Sequence, residues 1–262
     1  MDGFGKLLAE DYSVIQIVWA RYAFAIPIVL LMANRRTWQA VLRFDRPWLQ
    51  LLRGVLPLVA SWSVIVGLTL MPLADFTVIS FASPLLVVAL AAPLLKERTS
   101  VHSWIGVLCG FLGILIIVRP GIGVIAWAAL FPLATAFLFA LYQLLTRLVS
   151  RVSDPLVSLG WIILVGFALT TPMLPFVWQE VTGRGWAFLV LTGLLFGMAH
   201  FLVIRAFSMA PAAVLTPFTY VQIIAAIAFG IAVFGEVPDV WAMVGTALII
   251  ASGLYVLRRQ PA

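Results

Sequence analysis

Thr77, Ser80 and Ser83 stand three residues apart inside one apolar run, so on a helix they share a face. A shift of 139 positions lays them over Thr216, Thr219 and Gln222 in a second apolar run, and lays Phe81 over Tyr220. Hydroxyls and an amide beside an aromatic ring suit hydrogen bonding to a small polar solute. Their competing use is back-bonding to their own helix and close helix packing. The same shift pairs Ser61, which precedes Trp62, with His200, again deep in apolar sequence. An imidazole there either takes and releases a coupling proton or sits neutral against a backbone carbonyl. Arg21 also lies within an apolar run, where an unpaired guanidinium costs about 2.5–3.5 kcal/mol. It therefore needs a partner, whether an anionic solute, a helix C-terminus or an acidic residue such as Asp75. Arg21, Ser61, Trp62, Thr77, Ser80, Ser83, His200, Thr216, Thr219, Tyr220 and Gln222 are the candidate lining of a substrate cavity.

Other chemistries lack their residues. The sequence contains no phosphate loop, no His-Glu-x-x-His and no Gly-x-Ser-x-Gly. Its only two histidines, His102 and His200, belong to different apolar runs, and Cys109 is the single cysteine, so neither a metal cluster nor an intrachain disulfide is expected. No cofactor is implied. Glu97 and Glu236 are repeat equivalents near helix ends and read as fasteners of loops or helix termini, and Asp75 as a first-turn acid behind Pro72.

The elements that must position these residues are transmembrane helices. With 64% hydrophobic residues, 10% charged residues and a mean hydropathy of +1.14, the chain has too few charges to surround a water-soluble fold. Nine runs, from Val14–Ala33 to one ending at Leu257, are each long enough to cross the hydrocarbon with their backbone groups bonded internally. The expected class is an all-α polytopic membrane protein with no nucleic-acid partner, surrounded by lipid and working on a small molecule. Oligomeric state is left between monomer and weak dimer, since Gly106/Gly110 and Gly193/Gly197 serve internal packing as readily as dimerisation.

The net charge of +6 sorts by side. If the Arg35–Arg53 loop is cytoplasmic, eleven basic residues fall inside and only Lys6, Arg119 and Arg184 outside, which places the C-terminus in the cytoplasm of a bacterial-type inner membrane. No cleavable signal peptide is visible.

The 139-residue shift runs without a gap from Leu52–Arg119 to Leu191–Arg258, matching Gly54 to Gly193, Pro72 to Pro211, Thr77 to Thr216, Glu97 to Glu236 and Gly106 to Gly245. Residues 1–121 and 122–262 are thus expected to be two copies of one unit. The second copy opens with a span at 123–146 that the first lacks, and Met1–Ser13 aligns with the end of that span. The expectation is a ten-helix parent of two five-helix repeats, most of the first helix being absent through truncation, a start assigned too far downstream, or real loss. Five helices per repeat invert the second copy in the membrane.

Several segments carry a family pattern: Ala20-Arg21-Tyr22, Leu73-Ala74-Asp75, Leu95-Lys96-Glu97-Arg98, Val118-Arg119-Pro120-Gly121, Met209-Ala210-Pro211-Ala212-Ala213 and Phe234-Gly235-Glu236. Together they resemble the drug/metabolite transporter superfamily, and within it the EamA-type permeases. Lys96 departs from the pattern by standing where glycine is usual. The resemblance implies inverted repeats forming a basket around a central cavity, and movement of an amino acid, amine, nucleoside-like compound or drug by alternating access, with the proton as a candidate coupling ion. Phe207-Ser208-Met209 and Tyr220 are similar to segments of S-adenosylmethionine carriers. The alternatives are a channel or a nontransporting membrane partner and, last, an intramembrane enzyme.

Overall fold

The computed structural model describes residues 1–35, 37, 39, 47–95, 101–119, 125–149, 155–209 and 221–259. Among the described residues there is no strand. The helices are α1 (Asp2–Leu8), α2 (Val14–Ala23), α3 (Ile26–Met32), α4 (Pro47–Leu70), α5 (Leu73–Ser80), α6 (Ala82–Leu95), α7 (Val101–Val118), α8 (Ile125–Ala128), α9 (Leu130–Val149), α10 (Pro155–Thr170), α11 (Leu174–Val177), α12 (Gly183–Met209), α13 (Val221–Phe229) and α14 (Val240–Arg259). Among the described residues four stretches are long and apolar enough to cross a bilayer: Val14–Met32, Trp48–Leu70, Pro155–Val177 and Gly183–Ala206. Shorter apolar helices occupy Leu73–Val87, Trp104–Val118, Leu130–Thr146, Val221–Phe234 and Val240–Tyr255. These are the places of the nine expected spans.

Several spans are broken, and proline chemistry locates the breaks. Proline has no N–H for the carbonyl four residues earlier, and its ring crowds that carbonyl. Helix α2 ends at Ala23, four before Pro27; α5 ends at Ser80, four before Pro84; α8 ends at Ala128, four before Pro132. The first cavity-candidate span is therefore two helices meeting at Phe81, with Ser80 and Ser83 on opposite sides of the break. Pro57 is tolerated within α4. The span ending at Phe234 closes differently, in a π-helical turn (Gly230–Phe234) capped by Gly235 at φ 66°, where the absence of a Cβ admits a left-handed backbone.

The chain forms two compact units, one of Met1–Ile65 with Leu145–Ala210, the other of Val66–Leu144 with Pro211–Ala262. Neither unit is a sequence half. Moving Met1–Ile65 by 139 positions gives 140–204, close to the other segment of the first unit, so each unit combines corresponding stretches from both copies.

In the first unit α2 packs on α10 and α12, and α10 on α12. Equivalent glycines make equivalent contacts there: Gly54 of α4 lies against Val165 of α10, and Gly193 of α12 against Ala20 and Phe24 of α2. Gly197 receives Ala25 and Ile28, so the Gly193/Gly197 pair serves packing inside the chain.

In the second unit the main contact is α7 on α14, two helices that the repeat relates to each other. Gly110 meets Ser252, Gly113 meets Ile249, and Gly245 meets Ile117. One number rises as the other falls, so the equivalent helices run antiparallel. The inversion of the repeat is visible in that pairing.

A Cβ on Gly245 would lie 2.6 Å from the Gly113 carbonyl oxygen, and one on Gly113 2.9 Å from the Gly245 oxygen. Backbone does not yield as a side-chain tip does. Gly245→Val should destabilise the detergent-solubilised protein by about 1–3 kcal/mol in thermal unfolding, as overpacking does elsewhere. Gly183→Ala, at a position where a Cβ meets nothing within 4 Å, should leave the melting temperature almost unchanged.

Candidate functional site

Arg21 is 1% exposed and its Nη2 donates to Asp2 Oδ1 at 3.2 Å. Gly5 makes that reach feasible, since any Cβ there would stand 2.7 Å from the same Nη2. The carboxylate that Arg21 finds is thus Asp2 on α1, not Asp75. Arg53, read from sequence as a loop cation, is also 1% exposed, one turn inside α4, donating through Nη1 to Gln50 Oε1 at 3.3 Å and Ser158 Oγ at 3.0 Å. His200 is buried on α12, its ring 4.4 Å from that of Phe196, which packs edge-on against Tyr22. Arg21, Arg53 and Asp2 all lie within electrostatic reach of this imidazole. Ser61 is buried, whereas its neighbour Trp62 is 49% exposed.

The end of this unit beside the Trp178–Thr182 loop is held by polar pairs. Buried Gln16 exchanges two 3.0 Å bonds with the Gln179 backbone, and Tyr12 Oη lies 3.1 Å from Thr182 Oγ1. Trp19, placed by sequence inside its span, joins Trp178 in an edge-to-face contact at 6.0 Å, and Trp178 in turn meets Trp186. Such amphipathic rings suit the level of the headgroups.

In the second unit Thr77 is buried and its hydroxyl donates to the Leu73 carbonyl at 2.8 Å, the back-bonding use of a helical threonine. Ser83 is buried and accepts from Gln143 Nε2 of α9 at 3.2 Å. Ser80 Oγ is buried with no hydrogen-bond partner. Gln222 lies on an exposed face of α13 between Val221 and Ile224. Thr216, Thr219 and Tyr220 lie outside the described residues, as does Glu97. The structure thus sets Ser80 and Ser83 on either side of the Phe81 break, puts Arg21, Ser61 and His200 in the first unit, and turns Trp62 and Gln222 outward. Gln16, Gln50, Arg53, Gln143 and Ser158 are polar positions that sequence reasoning passed over; the four on apolar helix faces were marked by amides or a cation within hydrophobic runs.

Glu236 accepts the Leu73 N–H at 3.0 Å, satisfying a donor at the start of α5 that a helix cannot satisfy itself. This is the terminus-fastening role expected of it. Asp75, in the first turn of α5, borders a crevice of about 210 Å³ with Ala74, Val78, Ile227, Thr246 and Ala247. Asp239 accepts the Ala242 N–H at the start of α14 and pairs with Arg119, which ends α7 in the left-handed region at φ 44°. Among the described residues no group of three or more His, Cys, Asp or Glu gathers as a metal site would require.

Residues 3–119, and again residues 126–258, match the EamA-like transporter family. The chain belongs to that family. Like its relatives in the drug/metabolite transporter superfamily, this EamA-like protein is an integral membrane transporter of small metabolites and not an enzyme. It is 28% identical over 244 residues to a riboflavin transporter of Rhizobium johnstonii, covering 91% of this chain and 78% of that one. It is 25% identical over 256 residues to an S-adenosylmethionine uptake transporter of Rickettsia felis, covering 98% and 87%. A solved crystal structure with 19% identity shares the fold at a TM-score of 0.64, covering 97% of this chain and 87% of that one.

Two charge pairs of this transporter make separable predictions. Asp2→Ala strands a buried guanidinium and should lower stability by about 2–3 kcal/mol, less than for a fully buried pair because Asp2 is 26% exposed. Adding Arg21→Met removes the stranded charge and should recover most of the loss in thermal melts. At Asp239, the Ala242 N–H first, then Arg119 and the Trp241 N–H, hold the carboxyl below its ordinary value of 3.8. A depressed carboxyl stabilises the fold above its unfolded value and loses that contribution as pH falls through the lower folded value. Asp239→Asn should therefore melt slightly lower than the parent at pH 7, and the gap should close below about pH 3.8.

Proposed function

We propose that this EamA-like transporter is a secondary carrier, working by alternating access in a bacterial-type inner membrane with its C-terminus cytoplasmic, and that its solute bears a nitrogen heteroaromatic ring. The observation that carries the reading is the antiparallel pairing of α7 with α14. Two inverted copies of one unit have related conformations open to opposite sides, so a single site is presented to each in turn. The cytoplasmic C-terminus follows from the basic residues concentrated in alternate loops. Support for the solute class comes from the relatives: riboflavin and S-adenosylmethionine both join a fused nitrogen heteroaromatic ring to a hydroxylated chain or sugar. Ser80 and Ser83 of the second unit remain sequence candidates for holding the solute, and His200 of the first is assigned to proton coupling.

Counterflow in proteoliposomes tests the carrier. Vesicles preloaded with unlabelled riboflavin or S-adenosylmethionine should transiently concentrate the labelled form of one of them, with saturable kinetics. An inwardly directed proton gradient should speed uptake by wild type but not by His200→Gln. Flux that is linear in concentration and insensitive to preloading would replace the carrier with a channel.

A further inference from the structure

A glutamine amide in the middle of an apolar helix is costly unless each end has a partner or meets water. Gln143 lies on α9 in one row with Ala136 and Ala140, both fully buried, and away from the exposed positions Leu130, Ala134 and Phe137. Its lipid-averse side chain thus belongs to the packed face of the helix, where two alanines leave room beside it. One N–H of Nε2 is used, at 3.2 Å on Ser83 Oγ. The amide oxygen accepts no hydrogen bond, yet it is not among the buried polar atoms.

The groups opposite show the same incompleteness. Ser83 begins α6, just past the break at Phe81, and its hydroxyl keeps a proton to donate after accepting from Gln143. Ser80, at the end of α5, has a buried hydroxyl with no hydrogen-bond partner. Its carbonyl is the one that Pro84 cannot serve. A broken helix within a membrane span, with the Ser80 hydroxyl unpartnered on one side of the break and a half-committed amide bonded to Ser83 on the other, has the composition of a solute site.

We propose that Gln143 is a solute-binding residue, anchored by Ser83, that reads the edge of a planar heteroaromatic ring. The free carbonyl oxygen and the second N–H of a carboxamide form a coplanar acceptor–donor pair. That pair matches a neighbouring N–H and acceptor on a flavin imide or on the amino edge of adenine. Its hydrogen-bond partner Ser83 is neutral, so the pair suits an uncharged ring edge rather than a charged tail. The inference rests on the proposed solute class and adds the residue that selects it.

The test pairs a residue change with a ligand change. Counterflow of riboflavin is compared with that of 3-methylriboflavin, whose imide N–H is blocked; if the wild type carries only S-adenosylmethionine, that solute is compared with its 6-deaminated counterpart. Wild type should prefer the parent by about tenfold in KM, the worth of one well-made hydrogen bond pair. Gln143→Leu should raise KM for the parent by about that factor and treat parent and analogue alike, while Ser83→Ala should raise KM less and keep part of the preference. A Gln143→Leu protein that melts normally and discriminates as wild type does would overturn the proposal. Absence of wild-type counterflow would sink the carrier reading instead. Equilibrium binding of the same ligand pairs to the solubilised protein then decides the site: preference for a parent that Gln143→Leu abolishes retains it, and any other result overturns it.

Discussion

Gly113 and Gly245 put the backbones of α7 and α14 within reach of each other's carbonyl oxygens, and the second unit is organised around that approach. Lipid tails are as apolar as leucine, so helices in a bilayer gain little by hiding hydrophobic surface from their surroundings. What holds them is close packing, strongest where small residues let backbones meet. The pairing is symmetric: the Gly110–Ser252 and Gly113–Ile249 contacts exchange under the repeat, as expected when two copies of one helix pack about a local twofold axis. The first unit uses the same device in two equivalent places, Gly54 against Val165 and Gly193 against Ala20 and Phe24. Larger side chains at these points would separate the helices and forfeit the dispersion contacts on both sides.

The second constraint is the backbone's own need for partners. Hydrocarbon offers none, so every interruption of a helix must be served by protein or water. Three helices end four residues before a proline, and each ending frees a carbonyl. Just past the Ser80 break Ser83 and Gln143 bond to each other, close to where the backbone is least self-sufficient. At the start of α5 the answer is a carboxylate, Glu236, brought in from beyond the π turn. One span therefore carries a fastened end and an uncommitted middle, a distribution that fits a helix asked both to stay in place and to receive a solute.

Hydropathy made the spans readable in sequence, because the length of an apolar run is set by bilayer thickness, and a gapless shift made the repeat and its inversion readable. Helix breaks were harder. Pro84 and Pro57 have the same chemistry, yet α4 continues through Pro57, so the outcome depends on neighbours that a local pattern does not contain. Partners were harder still. Arg21 demanded an anion by energetics alone, but Asp2 lies 19 positions away, and Gly5 opens the path between them. Arg53 resembled a loop cation because it follows a basic segment, while the fold turns it onto Ser158, 105 residues later. Thr77 shows that spacing puts polar groups on one face without saying whether they bond outward or back to their own helix.

Some packing positions are shared by the two copies, and some polar positions are not. Gly54 and Gly193 correspond, as do Gly106 and Gly245, but Arg53 faces Thr192 and Ser61 faces His200 under the repeat. Packing contacts must remain equivalent if conformations open to opposite sides are to stay close in energy, since a difference of 1.4 kcal/mol already biases the equilibrium tenfold. A solute imposes no such symmetry. A molecule with a ring at one end and a chain at the other has no twofold axis, so a site that holds it in one orientation must be furnished unequally by the two copies. Unequal polar pairs such as Arg53 with Thr192 and Ser61 with His200 are compatible with that demand.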